Sequence, residues 1–243
     1  MISIVIPALN EKRYIGKLLD SILAQELSES IEVIVADAHS TDGTRDVVNS
    51  YGTRLDIKIV DGGMPAIARN NGAKASSGDP IFFIDADLTL PDPQFLQKNL
   101  DYFRRHHLAI AATPLIPDST HRGDYFLVGF YSHFFMPLMQ HISPFGAMCV
   151  VASREAFQKT GGYPEGHIMN EDHDFVQACW KVGPYGILPV ASHFSVRRME
   201  KEGRFGLAWK YTYATMYRLF VGPIRRPLFS YEFAHKDPEH TTP

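Results

Sequence analysis

Short apolar runs alternate with stretches of helical periodicity through the first third of the chain, and this pattern restricts the fold more than any other feature of the sequence. The runs are apolar on both faces of a strand, as in strands buried inside a parallel sheet. Helices between such strands cover both faces of the sheet, which predicts an α/β fold with a mostly parallel, Rossmann-like central sheet. The predicted strands are Ile2–Ile6, Ile31–Val35, Leu55–Val60 and Ile81–Ile84, and the predicted helices are residues 14–23, 42–50 and 65–75.

Polar residues follow three of these predicted strands directly, in the segments 7–11, 37–40 and 85–87. The carboxyl ends of parallel strands lie at one edge of a sheet, and ligands bind in the crevice beyond that edge. The sequence therefore predicts one cleft that is lined by residues far apart along the chain.

The second half of the chain is less regular. It contains no internal repeat and no linker long enough to separate two domains, so we predict a single domain over residues 1–232 and a polar tail over 233–243. The predicted helices are residues 93–105, 125–140, 154–159, 172–182 and 208–220, and the predicted strands are residues 108–113 and 147–152.

The composition excludes several classes of protein. The chain is 45% hydrophobic and 21% charged, as in globular domains, and its net charge of −3 provides no basic field for nucleic acid. Cys149 and Cys179 lack metal-site spacing; they either pair or are buried free thiols, and free thiols suit a reducing compartment. The sequence shows no signal peptide and no run of about 18 apolar residues, which predicts a cytoplasmic protein.

The motif Asp85-Ala86-Asp87 is the first candidate site, because it follows the apolar run Ile81–Ile84 directly. Two carboxylates this close repel each other, so the pair is costly unless a cation lies beside it. Mg²⁺ and Mn²⁺ suit oxygen ligands supplied by one or two carboxylates and by substrate phosphates. We therefore predict a Mn²⁺ or Mg²⁺ site at Asp85 and Asp87; the alternative is a solvated loop or a helix cap.

Two further residues are candidates for binding a nucleotide. Asp37 follows the second strand and is suited to accept a hydrogen bond from a base N–H or from ribose hydroxyls; the alternative is a turn residue. Arg69 lies on the helix before Asp85 and is suited to bind a phosphate through two nitrogens, or to lie on a solvated helix face. Either Thr41 or Asp42 is expected to cap the helix that begins near residue 42.

An acidic run, Glu171-Asp172-His173-Asp174, opens a predicted helix after a Gly-Gly turn. Acidic residues in a first helical turn are stabilised by the helix dipole alone, so a structural role is one reading. The functional reading is a general base that takes the proton of an attacking hydroxyl group.

Three basic or imidazole side chains are predicted to follow the last strand. His193 is either an additional metal ligand or a packed histidine. Arg197 and Arg198 precede a glycine-containing loop and are suited to close over a diphosphate; surface charge is the alternative.

Two aromatic-rich helices, residues 125–140 and 208–220, are predicted as core elements. Arginine and lysine accompany the aromatic residues of the second helix, a mixture that also suits the surface of an anionic membrane. Peripheral contact with the cytoplasmic membrane face through residues 205–226 is therefore the alternative.

Taken together and in order, these motifs resemble those of the family 2 glycosyltransferases of the GT-A fold. The resemblance covers residues 2 to 200, and it rests on six segments that are weak alone and specific in combination. They are Ile4-Val5-Ile6-Pro7-Ala8-Leu9-Asn10-Glu11, Val35-Ala36-Asp37 with Ser40-Thr41-Asp42-Gly43-Thr44, Ala68-Arg69-Asn70, Phe83-Ile84-Asp85-Ala86-Asp87, Gly161-Gly162-Tyr163 and Glu171-Asp172.

The resemblance implies an inverting transferase that moves one sugar from a UDP-, GDP- or dTDP-sugar to a hydroxyl or phosphate acceptor, which includes lipid-linked acceptors. It implies a nucleotide-binding half of about residues 1–115 and an acceptor-side half of about residues 116–232. The catalytic base is then Asp172, with Asp174 as its competitor. The donor-binding residues are Pro7, Asn10, Glu11, Asp37, Arg69, Asp85, Ala86, Asp87, Arg197 and Arg198, and the metal ligands are Asp85, Asp87 and His193.

The sequence departs from the family pattern in two places. The Gln-x-x-Arg-Trp signature of processive synthases is absent, which argues against synthesis of a long polysaccharide. Gln177 and Ala178 stand where an arginine often follows the acidic pair. A non-catalytic nucleotide-sugar-binding partner protein of the same fold is the alternative function. A nucleotidyltransferase is disfavoured because residues 7–11 form no glycine-rich phosphate loop.

Overall fold

The computed structural model describes residues 1–146, 148–166, 170–220, 222 and 224, and it contains a seven-stranded and a three-stranded sheet. The strands are β1 (Ile2–Ala8), β2 (Ile31–Asp37), β3 (Asp56–Asp61), β4 (Ile81–Ile84), β5 (Leu88–Thr89), β6 (Ile110–Ala112), β7 (Leu115–Asp118), β8 (Cys149–Ala152), β9 (Tyr185–Ile187) and β10 (Ser192–Ser195). The helices are α1 (Lys12–Leu23), α2 (Thr44–Asn49), α3 (Pro65–Ala75), α4 (Phe95–Arg105), α5 (Arg122–Phe130), α6 (Met136–Met139), α7 (Arg154–Thr160), α8 (Glu171–Trp180), α9 (Arg197–Glu202) and α10 (Arg204–Phe220), with a π-helical turn, Tyr131–Phe135, between α5 and α6.

The larger sheet has the strand order β3-β2-β1-β4-β8-β6-β9. Every neighbouring pair is parallel except the two that involve β8, which runs antiparallel to β4 and β6. The predicted mostly parallel sheet is therefore confirmed. The chain places β2 and β3 on one side of β1 and β4 on the other, so the strand order reverses between β1 and β4. Ligands bind at such a reversal, beyond the carboxyl ends of the strands.

Helices cover both faces of this sheet, as the apolar runs predict. Ile4 and Ile6 of β1 pack toward α1 and α4, whereas Val5 packs toward α3 and α8. Alternate residues of a strand point to opposite faces, so a strand must be apolar throughout when both faces are buried.

Two elements of the first third of the chain match the prediction residue for residue, and the others differ by one or two residues at one or both ends. Both α3, with Pro65 in its first turn, and β4 have the predicted limits. Helix α2 begins at Thr44 rather than at residue 42, because Gly43 adopts a left-handed φ of 93° and serves as the N-cap. The prediction that Thr41 or Asp42 is the cap is wrong; Asp42 instead accepts the backbone N–H groups of Thr44 and Lys12.

The second half departs further from the prediction. The predicted helix 125–140 begins three residues earlier, at Arg122, and contains the π-helical turn. The three-stranded sheet, ordered β5-β10-β7, was not predicted. His193 lies inside β10, not after the last strand, and there the prediction is wrong. Strand β8 pairs with β4 and β6, so the larger sheet takes strands from both predicted halves; the division into halves stays a prediction.

Cys149 and Cys179 are buried free thiols. Within the described ranges, no helix is long and apolar enough to cross a membrane. Ala147, Arg225, Arg226 and the predicted tail 233–243 lie outside the described residues.

Candidate active site

The loops after β1 and β2 are fastened to each other at the carboxyl edge of the larger sheet. Asn10, with a positive φ of 55°, donates its backbone N–H to Ser40 Oγ (2.9 Å) and accepts the N–H of Thr41 at its side-chain oxygen (2.9 Å). Asp37 is buried and accepts the N–H of Ser40 (3.1 Å). Pro7 lies in the last part of β1 opposite Ala36 of β2. These bonds bring the predicted nucleotide-binding residues Pro7, Asn10 and Asp37 together.

Arg69 joins three carboxylates from two distant segments, and we call Arg69, Asp85, Glu171 and Asp172 the Arg69 cluster. Its Nη2 donates to Asp85 Oδ1 (2.7 Å), and its Nη1 donates to Glu171 Oε1 (2.9 Å) and lies 3.4 Å from Asp172 Oδ1. The guanidinium lies 5.3 Å from the ring centroid of Tyr163. Only 5% of Arg69 is exposed. Both terminal nitrogens of Arg69 bind carboxylates in this structure, and the predicted bidentate phosphate contact stays a prediction.

The surroundings of Asp172 suit a carboxylate that takes up a proton. Burial raises the pKa of its carboxyl group, Arg69 opposes that rise, and the negative charges of Glu171 and Asp85 add to it. A carboxylate with a raised pKa accepts a proton more readily near neutral pH. Asp172 Oδ1 is also a buried oxygen with no hydrogen-bond partner within the described part of the chain. Such an acceptor is costly to leave unpaired, and an incoming hydroxyl group would satisfy it.

The loop before β8 passes close to Asp172 at Gly146. A Cβ atom at residue 146 would lie 3.2 Å from the Cβ of Asp172 and 3.0 Å from Val150 Cγ2. A larger residue there would displace Asp172 or β8, so glycine allows the loop to lie against the base.

A second set of charges, the Arg197 cluster, contains Glu11, Tyr14, Asp87 and Arg197. Arg197 donates from both terminal nitrogens to the two oxygens of Glu11 (2.7 Å each), and its Nε lies 3.1 Å from Asp87 Oδ2. Its guanidinium stacks over the Tyr14 ring at 4.3 Å from the centroid. The cluster links the loop after β1, the segment between β4 and β5, and the start of α9. The predicted donor-site residues Glu11, Asp87 and Arg197 therefore do meet.

The carboxylates around Arg197 are poorly solvated. Burial raises the pKa of Asp87 to about 6; Arg197 opposes the rise, and Asp85 and Glu11 add to it. Burial likewise raises the pKa of Glu11 against the attraction of Arg197. Arg198 lies close enough to lower both pKa values, so it belongs to the same surroundings. Ala86, between the two aspartates, is buried, and its small side chain does not crowd their carboxylates.

The two aspartates fit a divalent cation only in part. Among the residues that the structure describes, no group of three or more His, Cys, Asp or Glu side chains is arranged to hold a metal ion. His193 lies on β10 opposite Thr89, where burial lowers its pKa and Asp118 opposes that shift. Its role as a third ligand stays a prediction. Mg²⁺ and Mn²⁺ are also bound by one or two carboxylates together with substrate phosphates, and Asp85 and Asp87 suit that arrangement.

Three features of the site were not predicted. They are the contact of Glu171 with Arg69, the stacking of Tyr14 on Arg197 and the approach of Gly146 to Asp172. The signal for Glu171 was present in the acidic pair, whereas the contacts of Tyr14 and Gly146 depend on loops that meet only in the folded chain.

Comparison with known proteins decides the family. The model of the family described as glycosyl transferase family 2 matches residues 3–161 of this chain. The chain belongs to glycosyl transferase family 2. The matched region of this family 2 protein includes Asp37, Arg69, Asp85 and Asp87 and ends ten residues before Glu171. The predicted resemblance is confirmed.

Curated relatives match only part of the chain. Validoxylamine A glucosyltransferase of Streptomyces hygroscopicus subsp. jinggangensis is 40% identical over 105 residues, which is 41% of this chain and 25% of that protein. Poly(ribitol-phosphate) beta-N-acetylglucosaminyltransferase TarS of Staphylococcus aureus is 33% identical over 110 residues, 43% of this chain and 19% of that protein. The family 2 chain thus aligns with a quarter or less of the length of these relatives.

Solved structures support the fold. The structure of S. aureus TarS 1–349 in complex with UDP superposes with a TM-score of 0.65 at 18% identity and covers 80% of this chain and 60% of that one. Mannosyltransferase PcManGT from Pyrobaculum calidifontis, in complex with GDP-Man and Mn²⁺, superposes with a TM-score of 0.67 at 21% identity and covers 88% of this chain and 60% of that one. The predicted GT-A fold is confirmed.

Proposed function

We propose that this family 2 protein is an inverting glycosyltransferase that moves one sugar from a nucleotide-diphosphate sugar to a hydroxyl or phosphate acceptor. The observation that carries the proposal is the buried Oδ1 of Asp172, which accepts no hydrogen bond from the described residues and lies 3.4 Å from Arg69, whose guanidinium also binds the carboxylate of Asp85. A proton acceptor and a carboxylate pair suited to a diphosphate thus lie in one cleft. Their closeness is what a single displacement at a sugar carbon requires.

The donor is held at the carboxyl ends of β1, β2 and β4. Asp37 accepts hydrogen bonds from the base or the ribose, beside Pro7 and Asn10. Arg197 and Arg198 provide positive charge for the diphosphate, and Glu11 and Asp87 orient Arg197 before the donor arrives. Asp85 and Asp87 would hold Mn²⁺ or Mg²⁺ together with the donor phosphates, and the cation would supply positive charge for the departing diphosphate. The neighbours bound to UDP, UDP-GlcNAc and GDP-Man support a nucleotide-sugar donor.

Asp172 acts on the acceptor. Its Oδ1 accepts the proton of the acceptor hydroxyl group as the hydroxyl oxygen attacks the anomeric carbon. The bond from that carbon to the diphosphate oxygen breaks on the opposite face. The anomeric centre is inverted, and the proton stays on Asp172 until the products leave. Arg69 balances the charge of Asp172 while the carboxylate is ionised. The first-turn position of Asp172 in α8 fixes its direction relative to Asp85.

The donor claim is tested by calorimetric titration with UDP, GDP and dTDP in the presence of Mn²⁺. We expect at least one to bind, and we expect Asp87→Asn to weaken binding by about 10-fold or more, a loss of about 1.4 kcal/mol. The matched control is Asp101→Asn, an exposed aspartate on α4 that bonds only its neighbour Gln97 among the described contacts.

The chemical claim is tested by nucleoside diphosphate release from a panel of nucleotide sugars with sugar, polyol and lipid-linked acceptors. Acceptor-dependent release supports transfer. Tight nucleotide binding with no release for any acceptor would favour the alternative of a non-catalytic binding partner. Binding of none of the three nucleotides would refute both.

A further inference from the structure

The helical segment formed by α5, the π-helical turn and α6 carries a stripe of exposed apolar residues at a spacing of four. The stripe consists of Phe126, Phe130, Phe134 and Leu138, each of which exposes more than half of its surface. Phe130 and Phe134 stack on each other with their ring centroids 5.0 Å apart, so the stripe is continuous there. The core of the protein lies on the other side of this segment, where Val128, Ser132 and Met136 are buried.

A second stripe lies on α10 and begins beside the first. Phe205, Trp209 and Tyr213 are again four residues apart, and Phe205 and Trp209 are 91% and 71% exposed. The two helices are joined at their starts, because Arg204 donates from Nε and Nη2 to the carboxylate of the fully buried Asp124 (2.6 and 3.0 Å). We call the two stripes together the two-helix surface.

The two-helix surface is too large and too apolar to face water alone. Aromatic side chains bring roughly 150–250 Å² each, so seven large side chains expose an area above the few hundred Å² that monomeric proteins usually show. Such an area marks a binding surface.

The charges around the surface identify what it binds. Between Ser119 and Arg154 the sequence contains one acidic residue, Asp124, and that residue is buried against Arg204. The exposed basic or imidazole side chains on or beside the first helical segment are therefore those of His121, Arg122, His133 and His141. In the sequence, residues 205–226 contain four Lys or Arg and no Asp or Glu, in a chain whose net charge is −3. Basic residues beside exposed Phe and Trp suit an anionic bilayer surface, where aromatic rings enter the headgroup region.

The surface is attached to the same small sheet as the candidate active site. Helix α5 follows β7, β7 pairs with β10, and β10 leads into Arg197 of the Arg197 cluster. A membrane bound at this surface would lie next to the acceptor side of the cleft rather than at the amino ends of the strands.

We propose that the two-helix surface binds an anionic membrane surface and thereby presents the cleft to an acceptor carried by a lipid. The prediction for residues 205–226 is thus extended to α5 and α6. The membrane contact stands independently, whereas the acceptor class rests on the proposed function.

The test is co-sedimentation of the full chain with vesicles of phosphatidylcholine alone and of phosphatidylcholine with phosphatidylglycerol. We expect binding to the anionic vesicles and release by high salt. Phe126→Ser with Phe130→Ser, and separately Phe205→Ser with Trp209→Ser, should each weaken binding about 10-fold or more. The matched control is Val182→Ser, an exposed apolar residue at the end of α8 that should leave binding unchanged.

Three outcomes would overturn the proposal: no binding by the wild-type chain, binding that the paired variants do not weaken, or a wild-type dimer that the same variants dissociate in light scattering. The dimer would identify a second copy of the chain as the occupant. Nucleoside diphosphate titration of every variant separates the two proposals. A variant that loses vesicle binding but still binds nucleotide bears on the membrane proposal alone. A variant that loses nucleotide binding but still binds vesicles bears on the proposed transferase alone.

Discussion

Replacing Arg69 with methionine tests how the buried charges of the site are balanced. Arg69 is 5% exposed and contacts the carboxylates of Asp85, Glu171 and Asp172. Methionine fills similar space without charge, so the variant leaves three carboxylates with their main cation removed. Removing one partner of a buried ion pair costs roughly 3–5 kcal/mol. Asp85 and Asp172 each expose about a quarter of their side chains, so water screens part of the repulsion and we expect about 3 kcal/mol.

The loss should depend on pH in a defined direction. Without Arg69 the folded-state pKa of Asp172, which burial already raises, rises further above its unfolded value of about 4. A group whose folded pKa is raised favours the folded state when it is protonated. The destabilisation of Arg69→Met should therefore be largest near pH 8 and should shrink as the pH falls toward 5.

The assay is urea unfolding of the wild type and the variant at pH 8, 7, 6 and 5. Arg104→Met is the matched control, because Arg104 pairs with Glu29 at the surface and is about half exposed; the control should lose less than about 1 kcal/mol. If Arg69→Met fails to fold, the double variant with Glu171→Gln should recover part of the stability. A loss no larger than that of Arg104→Met, or a loss independent of pH, would show that Arg69 does not balance the charges of the buried carboxylates.

Three further predictions concern the fold, the base and the metal. Burial raises the pKa of Glu32, but hydrogen bonds from Ser3, Ser77 and Gly78 outweigh this effect and hold the pKa at about 2. Glu32→Gln should therefore lower the free energy of unfolding by about 2 kcal/mol at pH 7. This difference should shrink as the pH falls below about 4.5 toward 2. An undiminished difference at pH 3 would contradict this account of Glu32. Gly146→Ala should lower kcat about 10-fold with little change in nucleotide affinity, since its Cβ displaces Asp172; unchanged kcat would show that the loop yields instead. Chelation by EDTA should weaken nucleoside diphosphate binding, and Mn²⁺ or Mg²⁺ should restore it, whereas full affinity after chelation would remove the metal from the donor site.

The sequence predicted the larger sheet well because its signals are local. Strand β4 is a run of four apolar residues, and Pro65 fixes the start of α3, so both elements have the predicted limits. The convergence of the loops after β1, β2 and β4 followed from parallel topology alone. The small sheet escaped prediction because β5 has only two residues, and because β7 and β10, with four residues each, contain polar residues or proline instead of the apolar run that marks β4.

The partners within the site could not be predicted in the same way. Arg69 and Glu171 are 102 residues apart, and Glu11 and Arg197 are 186 apart. A motif indicates a charged residue, but it does not indicate which oppositely charged residue contacts it in the folded chain. The motifs therefore predicted Arg69 as a phosphate ligand and His193 as a metal ligand. They did not predict that Arg69 lies among carboxylates or that His193 lies on a strand of the small sheet.

The central claim is that Asp172 takes the proton of the acceptor while the donor is held beside Asp85 and Asp87. Its most direct test is the transfer rate of Asp172→Asn, measured beside Asp174→Asn from the same helical turn, with nucleoside diphosphate affinity determined for both. The account predicts that Asp172→Asn lowers kcat by about 10²- to 10⁴-fold with nearly unchanged affinity, and that Asp174→Asn retains transfer. Wild-type turnover in Asp172→Asn, or the large loss in Asp174→Asn instead, would contradict it.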